Sequence, residues 1–457
     1  MVRRSDLPPG FVIGTATASY QIEGAARKDG RQDSIWDTFA RTPGSIADGT
    51  TGDVADDHYH RMADDVALMA DLGFRDYRFS IAWPRIAPDA AGIPNSAGLD
   101  FYRRLADELL EHGVTPWATL YHWDLPQSLQ DDGGWLERDT AQRFADYSAI
   151  VVDALGDVIT DWITLNEPWC SAFLGYASGH HAPGLTLGSR SSHAAHHLLL
   201  GHGLALQAIR ASRPDARVGT TLNLYSVQPA SDTAADLDAA RRIDGLSNRM
   251  FLDPILRGEY PRDVLDDLGE SVWFEANAPV EDLRLISAPL DFLGVNYYSR
   301  HTVADGGENA DASPVAPSAY PGSEFVRFER TGAPVTQMGW EIHPDGMLDV
   351  LRMASELAPG LPLYITENGA AYEDTTGPSG EIHDPDRRDY IIKHLQAAKE
   401  AVAEGLPLHG YFLWSLMDNF EWAWGYSRRF GIVHVDYETQ RRTPKTSAHW
   451  VSQMLLT

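Results

Sequence analysis

The 457-residue sequence predicts an α/β protein, a single (β/α)8 barrel with elaborated βα loops, spanning residues 1–457. Three observations predict it. Short apolar runs alternate eight times with segments of helical period, no Pro/Ser/Gly-rich linker divides the chain into halves, and polar or aromatic residues end the runs. Strand–helix alternation favours parallel pairing, and eight such units close naturally into a barrel. Length alone suggests about three domains, but barrels of this kind run from roughly 200 to over 400 residues as one unit.

The strands are read near Phe11–Thr15, Tyr77–Ile81, Thr115–Tyr121, Trp162–Leu165, Arg217–Leu222, Asp291–Asn296, Leu363–Thr366 and His409–Trp414. After the first, Asp57–Leu72 carries Tyr59, Met62, Val66 and Met69 at steps of three or four, which is one face of a helix. After the second, Leu99, Tyr102, Leu105, Leu109 and Leu110 repeat that stripe until Gly113 ends it. Before the last strand, His394, Leu395, Ala398 and Val402 do the same ahead of Gly405. The stretch from about Ala304 to Phe325 is rich in Ala, Gly, Pro and Ser. Lying between a strand and the next helix, it reads as barrel-rim decoration and not as a domain boundary.

Composition narrows the function. Thirty-seven basic residues against 65 acidic ones give a formal charge of −28, which repels polyanions and argues against a nucleic-acid partner. No segment approaches the ~18 uninterrupted apolar residues of a membrane helix. The lone cysteine, Cys170, precludes an intrachain disulfide and suits a reducing compartment. Arg3 and Arg4 are followed by Ser5-Asp6-Leu7-Pro8-Pro9 where a secretory leader needs an apolar stretch, so a cytoplasmic protein is expected. Oligomeric state is not legible.

In a parallel barrel, chemistry gathers where strands end. Those positions hold Gln21 and Glu23, Arg78, His122-Trp123-Asp124, Asn166-Glu167-Pro168, Asn223, Asn296-Tyr297-Tyr298, Glu367-Asn368-Gly369, and Trp414 with Glu421-Trp422. Carboxylates, amides and indoles without a phosphate-binding loop suit a neutral polyhydroxylated ligand and call for no cofactor. Glycoside hydrolysis needs two carboxyl groups flanking the anomeric carbon, one to protonate the leaving oxygen and one to attack or to activate water. Glu167 and Glu367 end the fourth and seventh strands and could face each other. Sequence spacing does not choose between attack and water activation.

The chain resembles glycoside hydrolase family 1, whose members are mostly β-glucosidases and related retaining β-glycosidases. The resemblance rests on Phe11–Glu23 (FVIGTATASYQIE), Tyr77–Ile86 (YRFSIAWPRI), Tyr121–Leu129 (YHWDLPQSL), Thr164–Pro168 (TLNEP), Asp291–Tyr298 (DFLGVNYY), Ile365–Gly369 (ITENG) and Tyr411–Gly425 (YFLWSLMDNFEWAWG), in that order from about residue 8 to 455. It implies that Glu167 is the general acid/base and Glu367 the nucleophile. Gln21, His122, Asn166, Glu421 and Trp422 are implied to hold the sugar's hydroxyls, with Trp414 as the floor. Arg78 and Tyr298 would hydrogen-bond the nucleophile, and Asn296 would lie close by. A cation and a phenol beside Glu367 favour its ionised form, whereas Glu167, near that charge in a partly dry pocket, should keep its proton.

Other readings are weaker. A 6-phosphoglycosidase would carry a Ser and Lys clamp where Glu421-Trp422 stand; a thioglucosidase would have Gln at Glu167; a non-catalytic sugar-binding relative would lack one of the two glutamates. β-Galactosidase and β-fucosidase activities stay open. A metal-dependent aldolase or isomerase would want a Lys or an acidic cluster at the barrel mouth. His193, His196, His197 and His202 have spacings that include i, i+3 and i+4, but lie in an apolar helical run without an HExxH pattern, so packing is expected and no metal. Trp169, Cys170, His181 and Trp340 are candidates for the leaving-group side. Ala423-Trp424, after Glu421-Trp422, varies among relatives and bears on aglycone preference.

Overall fold

The computed structural model describes residues 3–89, 91–307 and 317–456. Eight parallel strands close into a barrel in sequence order: β1 (Val12–Ala16), β2 (Asp76–Ser80), β3 (Thr115–Tyr121), β4 (Asp161–Asn166), β5 (Arg217–Asn223), β6 (Phe292–Asn296), β7 (Leu363–Asn368) and β8 (Leu408–Trp414). Closure is made by β1 against β8, from Val12 opposite Gly410 to Ala16 opposite Trp414. Each expected strand is present within two residues of its expected ends. Beyond the first residue or two, the strands are buried almost throughout, as expected where helices cover the outside and side chains fill the inside.

The helices follow the apolar stripes. α1 (His58–Asp71) buries Tyr59, Met62, Val66 and Met69, and α2 (Ser96–Glu111) buries Phe101, Tyr102, Leu105 and Leu109, while Leu110 stays exposed. α3 (Asp139–Leu155) packs against α4 (Ser191–Ser212), which is buried along most of its length. α5 (Pro344–Leu357), α6 (Pro385–Ala403) and α7 (Thr446–Leu456) complete the outer layer on that side.

Two layers fill the barrel. At the lower end, Trp117, Phe292, Tyr364 and Phe412 interlock with ring centroids 5.0–5.5 Å apart, and the guanidinium of Arg217 lies 5.5 Å from the Trp117 ring. This aromatic plug supplies dispersion contacts and excludes water from below. At the upper end the interior turns polar, with Arg78, Asn166, Asn296 and Glu367 buried side by side.

One expectation needs correcting. The Ala/Gly/Pro/Ser-rich stretch does not run from a strand to a helix. It lies between two strands of a small rim sheet, in which Ser226–Pro229 pairs parallel with Arg300–Asp305 and that strand pairs antiparallel with Val326–Glu329. Residues 308–316 of the stretch lie outside the described residues. These strands are half-exposed and short, so they lack the apolar run that marks a barrel strand.

Candidate active site

The upper ends of the strands surround a cavity of about 310 Å³, within the usual range for a small-molecule site. Glu167 and Glu367 both line it and are almost fully buried. Glu167 leaves the end of β4 with φ of 48°, a left-handed conformation unusual for a residue with a side chain; Trp123 (φ 78°) and Trp422 (φ 47°) in the same wall share it. Backbone strain of this kind persists where surrounding structure overdetermines it, commonly at functional sites. Gly369 explains the glycine after Glu367-Asn368. A Cβ there would fall 1.6 Å from the carbonyl oxygen of Trp414, so only glycine lets the loop after Glu367 pack on the end of β8.

Arg78 organises the cavity floor. Its Nη1 donates to Glu367 Oε1 at 2.6 Å and to the Thr366 carbonyl at 3.1 Å, and its Nη2 donates to Asn166 Oδ1 at 2.6 Å. Tyr298 donates its phenol proton to the other oxygen, Glu367 Oε2, at 2.7 Å. Asn296 donates to Glu167 Oε1 at 2.8 Å and to Asn166 Oδ1 at 3.1 Å, and accepts from Thr366 at 2.7 Å. Asn166 therefore presents its oxygen to two donors and its amide to His122 Nε2 at 3.0 Å. An imidazole that accepts at Nε2 carries its proton on Nδ1, and Nδ1 of His122 is buried without a partner among the described residues. Burial and the charge of Arg78 push the His122 pKa well down, so the ring is a neutral donor. Gln21 shows the complementary pattern. Its amide nitrogen is held by Asn419, the Phe420 carbonyl and Glu421, while its buried Oε1 has no partner among the described residues.

Three carboxyl groups share this space with one guanidinium. Burial and the charge of Glu367 raise the pKa of Glu167 to about 8. Burial also raises Glu367 above the ordinary value, so the neighbouring cation and phenol do not by themselves set its direction. They do act against burial: Arg78, Tyr298 and Asn296 all favour its charged form. Arg78 and Tyr298 bond Glu367 and not Glu167, so they favour the negative charge of the pair on Glu367. Glu421 is raised to about 8 by burial and by the other two carboxylates.

The structure brings the expected residues together. His122, Tyr298, Trp414, Glu421 and Trp422 line the cavity with the two glutamates, and so do Trp169, Cys170, His181 and Trp340. Gln21, Arg78, Asn166 and Asn296 stand immediately behind, bonded to residues that line it. The Trp414 ring lies near-parallel to His122 at 5.8 Å, and Trp422 packs between Trp36 at 4.6 Å and Trp123 at 4.4 Å. The sequence does not mark Leu174, Tyr225, Met338 and Phe430 as site residues, though all line the cavity; Trp123, at a strand end, and Trp424, beside Glu421-Trp422, line it too. Trp123 stands between His122 and Asp124 at the end of β3 and bonds the Asn166 carbonyl at 2.9 Å, so its strand-end position was a usable signal. Met338 lies in a long connection with no periodicity to mark it.

The histidines disperse into separate structural contacts. His193 meets Glu270, His196 meets Tyr260 and Asp282, His197 meets the Trp135 carbonyl, and His202 meets Thr164. Among the described residues, Asp374, Asp418 and His434 lie close enough to share a metal, but the ammonium of Lys445 sits 2.7 Å from both aspartates.

A closed β/α barrel whose mouth holds two buried carboxyl groups within an aromatic, amide-rich cavity defines the class of glycoside hydrolases. Comparison specifies it further. Residues 3–457 match the model of glycosyl hydrolase family 1, and the chain belongs to that family. It is 52% identical to the thermostable beta-glucosidase B of Thermobispora bispora, covering 97% of this chain and 89% of that protein. It is 48% identical to a bifunctional beta-D-glucosidase/beta-D-fucosidase of Bifidobacterium breve, over 98% of each chain. The crystal structure of psychrophilic beta-glucosidase BglU from Micrococcus antarcticus superposes with a TM-score of 0.93 at 46% identity, covering 100% of this chain and 99% of that one.

Proposed function

We propose that the protein is a retaining β-glucosidase that removes terminal non-reducing β-D-glucosyl residues by double displacement, with Glu367 as nucleophile and Glu167 as general acid/base. One observation carries the choice of mechanism. Both carboxyl groups are tied to one amide oxygen: Arg78 bridges Glu367 Oε1 and Asn166 Oδ1, each at 2.6 Å, and Asn296 bridges Asn166 Oδ1 at 3.1 Å and Glu167 Oε1 at 2.8 Å. This shared anchor supports two carboxyl groups held near each other in one cavity wall. That supports the close spacing of a retaining pair, about 5–5.5 Å, over the wider gap that leaves room for an attacking water.

The sequence of steps follows from the charges. Glu367, the charged member, attacks the anomeric carbon while protonated Glu167 gives its proton to the leaving oxygen. The covalent bond removes the charge on Glu367, the pKa of Glu167 falls, and Glu167 then takes a proton from the water that releases the sugar. Asn166, His122 Nδ1, Gln21 Oε1 and Glu421 supply donors and acceptors for the sugar hydroxyls. Trp414 and Trp422 offer the flat faces on which its C–H surface rests. Trp169, Cys170, His181 and Trp340 form the leaving-group side.

We read residues 1–457 as one catalytic domain that needs no cofactor, acting on β-glucosides and short β-linked oligosaccharides such as those released from cellulose. The single cysteine supports a cytoplasmic setting. Among the described residues no helix is long and apolar enough to cross a membrane. The bifunctional relative favours a second activity on β-fucosides. A panel of nitrophenyl β-glucoside, β-galactoside, β-fucoside, α-glucoside and 6-phospho-β-glucoside tests the reading, and chief activity on the α-glucoside overturns it.

A further inference from the structure

The loop after β8 carries much of the proposed sugar-holding side of the cavity. Glu421 and Trp422 line the cavity from it, and its Asn419 accepts from the Gln21 amide at 3.0 Å. The backbone from Ser415 to Glu421 is irregular, so its shape is set by side-chain and loop contacts and not by a repeating ladder.

Asp418 is the anchor of this loop and is fully buried. Its Oδ1 accepts from the Gly431 amide at 3.0 Å and from the Lys445 ammonium at 2.7 Å, and its Oδ2 accepts from Arg429 at 2.6 Å. The same ammonium lies 2.7 Å from Oδ2 of Asp374, in the loop that follows Glu367. Arg387 bonds Asp374 at 2.9 Å and Asp384 at 2.6 Å, and it holds the carbonyls of Ala370, Tyr372 and Arg429. Three aspartates thus face three cations, and Lys445 is the cation that joins a carboxylate of each loop.

Lys445 stands just ahead of α7 and is fully buried, which is rare for a lysine. Burial and Arg387 lower its pKa, and the two aspartates oppose them. Burial raises the pKa of Asp418, but Lys445, Arg429 and Arg387 more than offset it and hold the carboxyl below its ordinary value. Such a buried pair often returns little net stability against the desolvation of its charges. Stability alone is therefore a weak account of a lysine this deep. The nucleophile is anchored separately: Glu367 takes its bonds from Arg78 and Tyr298, which lie outside the cluster.

We infer that Lys445 is a positioning residue for sugar binding: its ammonium ties the loop after β8 to the loop after β7 through Asp418 and Asp374, and so sets where Glu421, Trp422 and Gln21 meet the sugar. The inference rests on the glycosidase reading above and deepens it, because it gives sugar binding and the chemical step separate anchors.

The experiment measures kcat and KM on nitrophenyl β-glucoside for the wild type, Lys445→Met and Lys445→Met/Asp374→Asn, each checked for folding by circular dichroism. The double variant removes the carboxylate stranded by the lost ammonium and restores the balance of charge, but not the bridge. KM should rise about tenfold in both variants, the worth of one hydrogen bond to a charged group, while kcat stays within about threefold. A lysine that merely balanced buried charge would let KM return to the wild-type value in the double variant, and that result overturns the inference. A wild-type KM in folded Lys445→Met, or a loss confined to kcat, overturns it too. If Lys445→Met does not fold, the double variant carries the test alone, with the same two outcomes. Absence of nitrophenyl glucosidase activity in the wild type would instead overturn the functional reading beneath it.

Discussion

The thiol of Cys170 donates a hydrogen bond to Glu167 Oε2 across 3.2 Å, so the proposed acid/base carboxyl is held by Asn296 on one oxygen and by a sulfur on the other. Burial keeps the thiol protonated and hence a donor. A donor to a carboxylate favours its charged form and lowers its pKa. Cys170→Ala should therefore raise the pKa of Glu167 above its value of about 8 and move the alkaline limb of kcat/KM to higher pH. The shift should be roughly half to one unit, the worth of one hydrogen bond. Cys170→Ser should restore the limb. An unmoved alkaline limb in the alanine variant would show that the thiol does not act on Glu167.

Arg78 is the cation in contact with Glu367, at 2.6 Å. Burial, the largest influence on Glu367, raises its pKa, and Arg78 opposes that most strongly. Arg78→Met should let the pKa climb further, moving the acid limb of kcat/KM upward by about one unit or more. Arg78→Lys keeps a charge but loses the fork that also holds Asn166, and should fall between the two. Titration of activity in variants shown by circular dichroism to be folded checks this; an acid limb that stays in place refutes it.

Glu421 has a pKa of about 8 in the folded protein against an ordinary 4.5. An acid whose pKa is raised by folding is charged in the unfolded chain while still protonated in the native one. Stability therefore falls as pH rises from about 4.5 to about 8. Glu167, raised to about 8, and Asp124, raised to about 7, act in the same direction. Urea unfolding across this window should show declining stability, and Glu421→Gln should flatten the slope by at most about 1.4 kcal/mol per pH unit, the worth of one proton. Equal slopes in the two proteins would place the burden elsewhere.

Glu167→Gln removes the proposed proton donor and later base. Activity on glycosides with poor leaving groups should drop by about 10²–10⁴-fold, the usual worth of general acid–base assistance. With an activated aryl glucoside, glycosylation should survive and the pH profile should lose only its alkaline limb. A bell of unchanged shape would assign that limb to another group.

Much of this was legible in the sequence because the barrel repeats one simple signal. Each strand is a short apolar run ending in residues unsuited to a core, such as Asn166-Glu167 on β4 and Glu367-Asn368 on β7, and closure brings all eight ends to one rim. Contacts from residues distant in sequence were not legible. The bond of Cys170 to Glu167 lies within one helical turn, yet its direction depends on the left-handed backbone at Glu167. Tyr225 and Phe430 reach the cavity from the connections after β5 and β8, which carry no strand or helix period to mark them. The rim strand Arg300–Asp305 is half-exposed and depends on neighbours from two other segments, so no local pattern announces it.

The central claim is a covalent bond between Glu367 and the anomeric carbon. Incubation with an activated 2-deoxy-2-fluoro-β-glucoside, whose fluorine slows release more than attack, followed by intact-protein and peptide mass spectrometry, tests it most directly. The expected result is a mass increase of one fluoroglucosyl unit on the peptide containing Glu367 and loss of that adduct in Glu367→Gln. Turnover without any adduct, together with release of the α-anomer as first product from an ordinary β-glucoside, would contradict it.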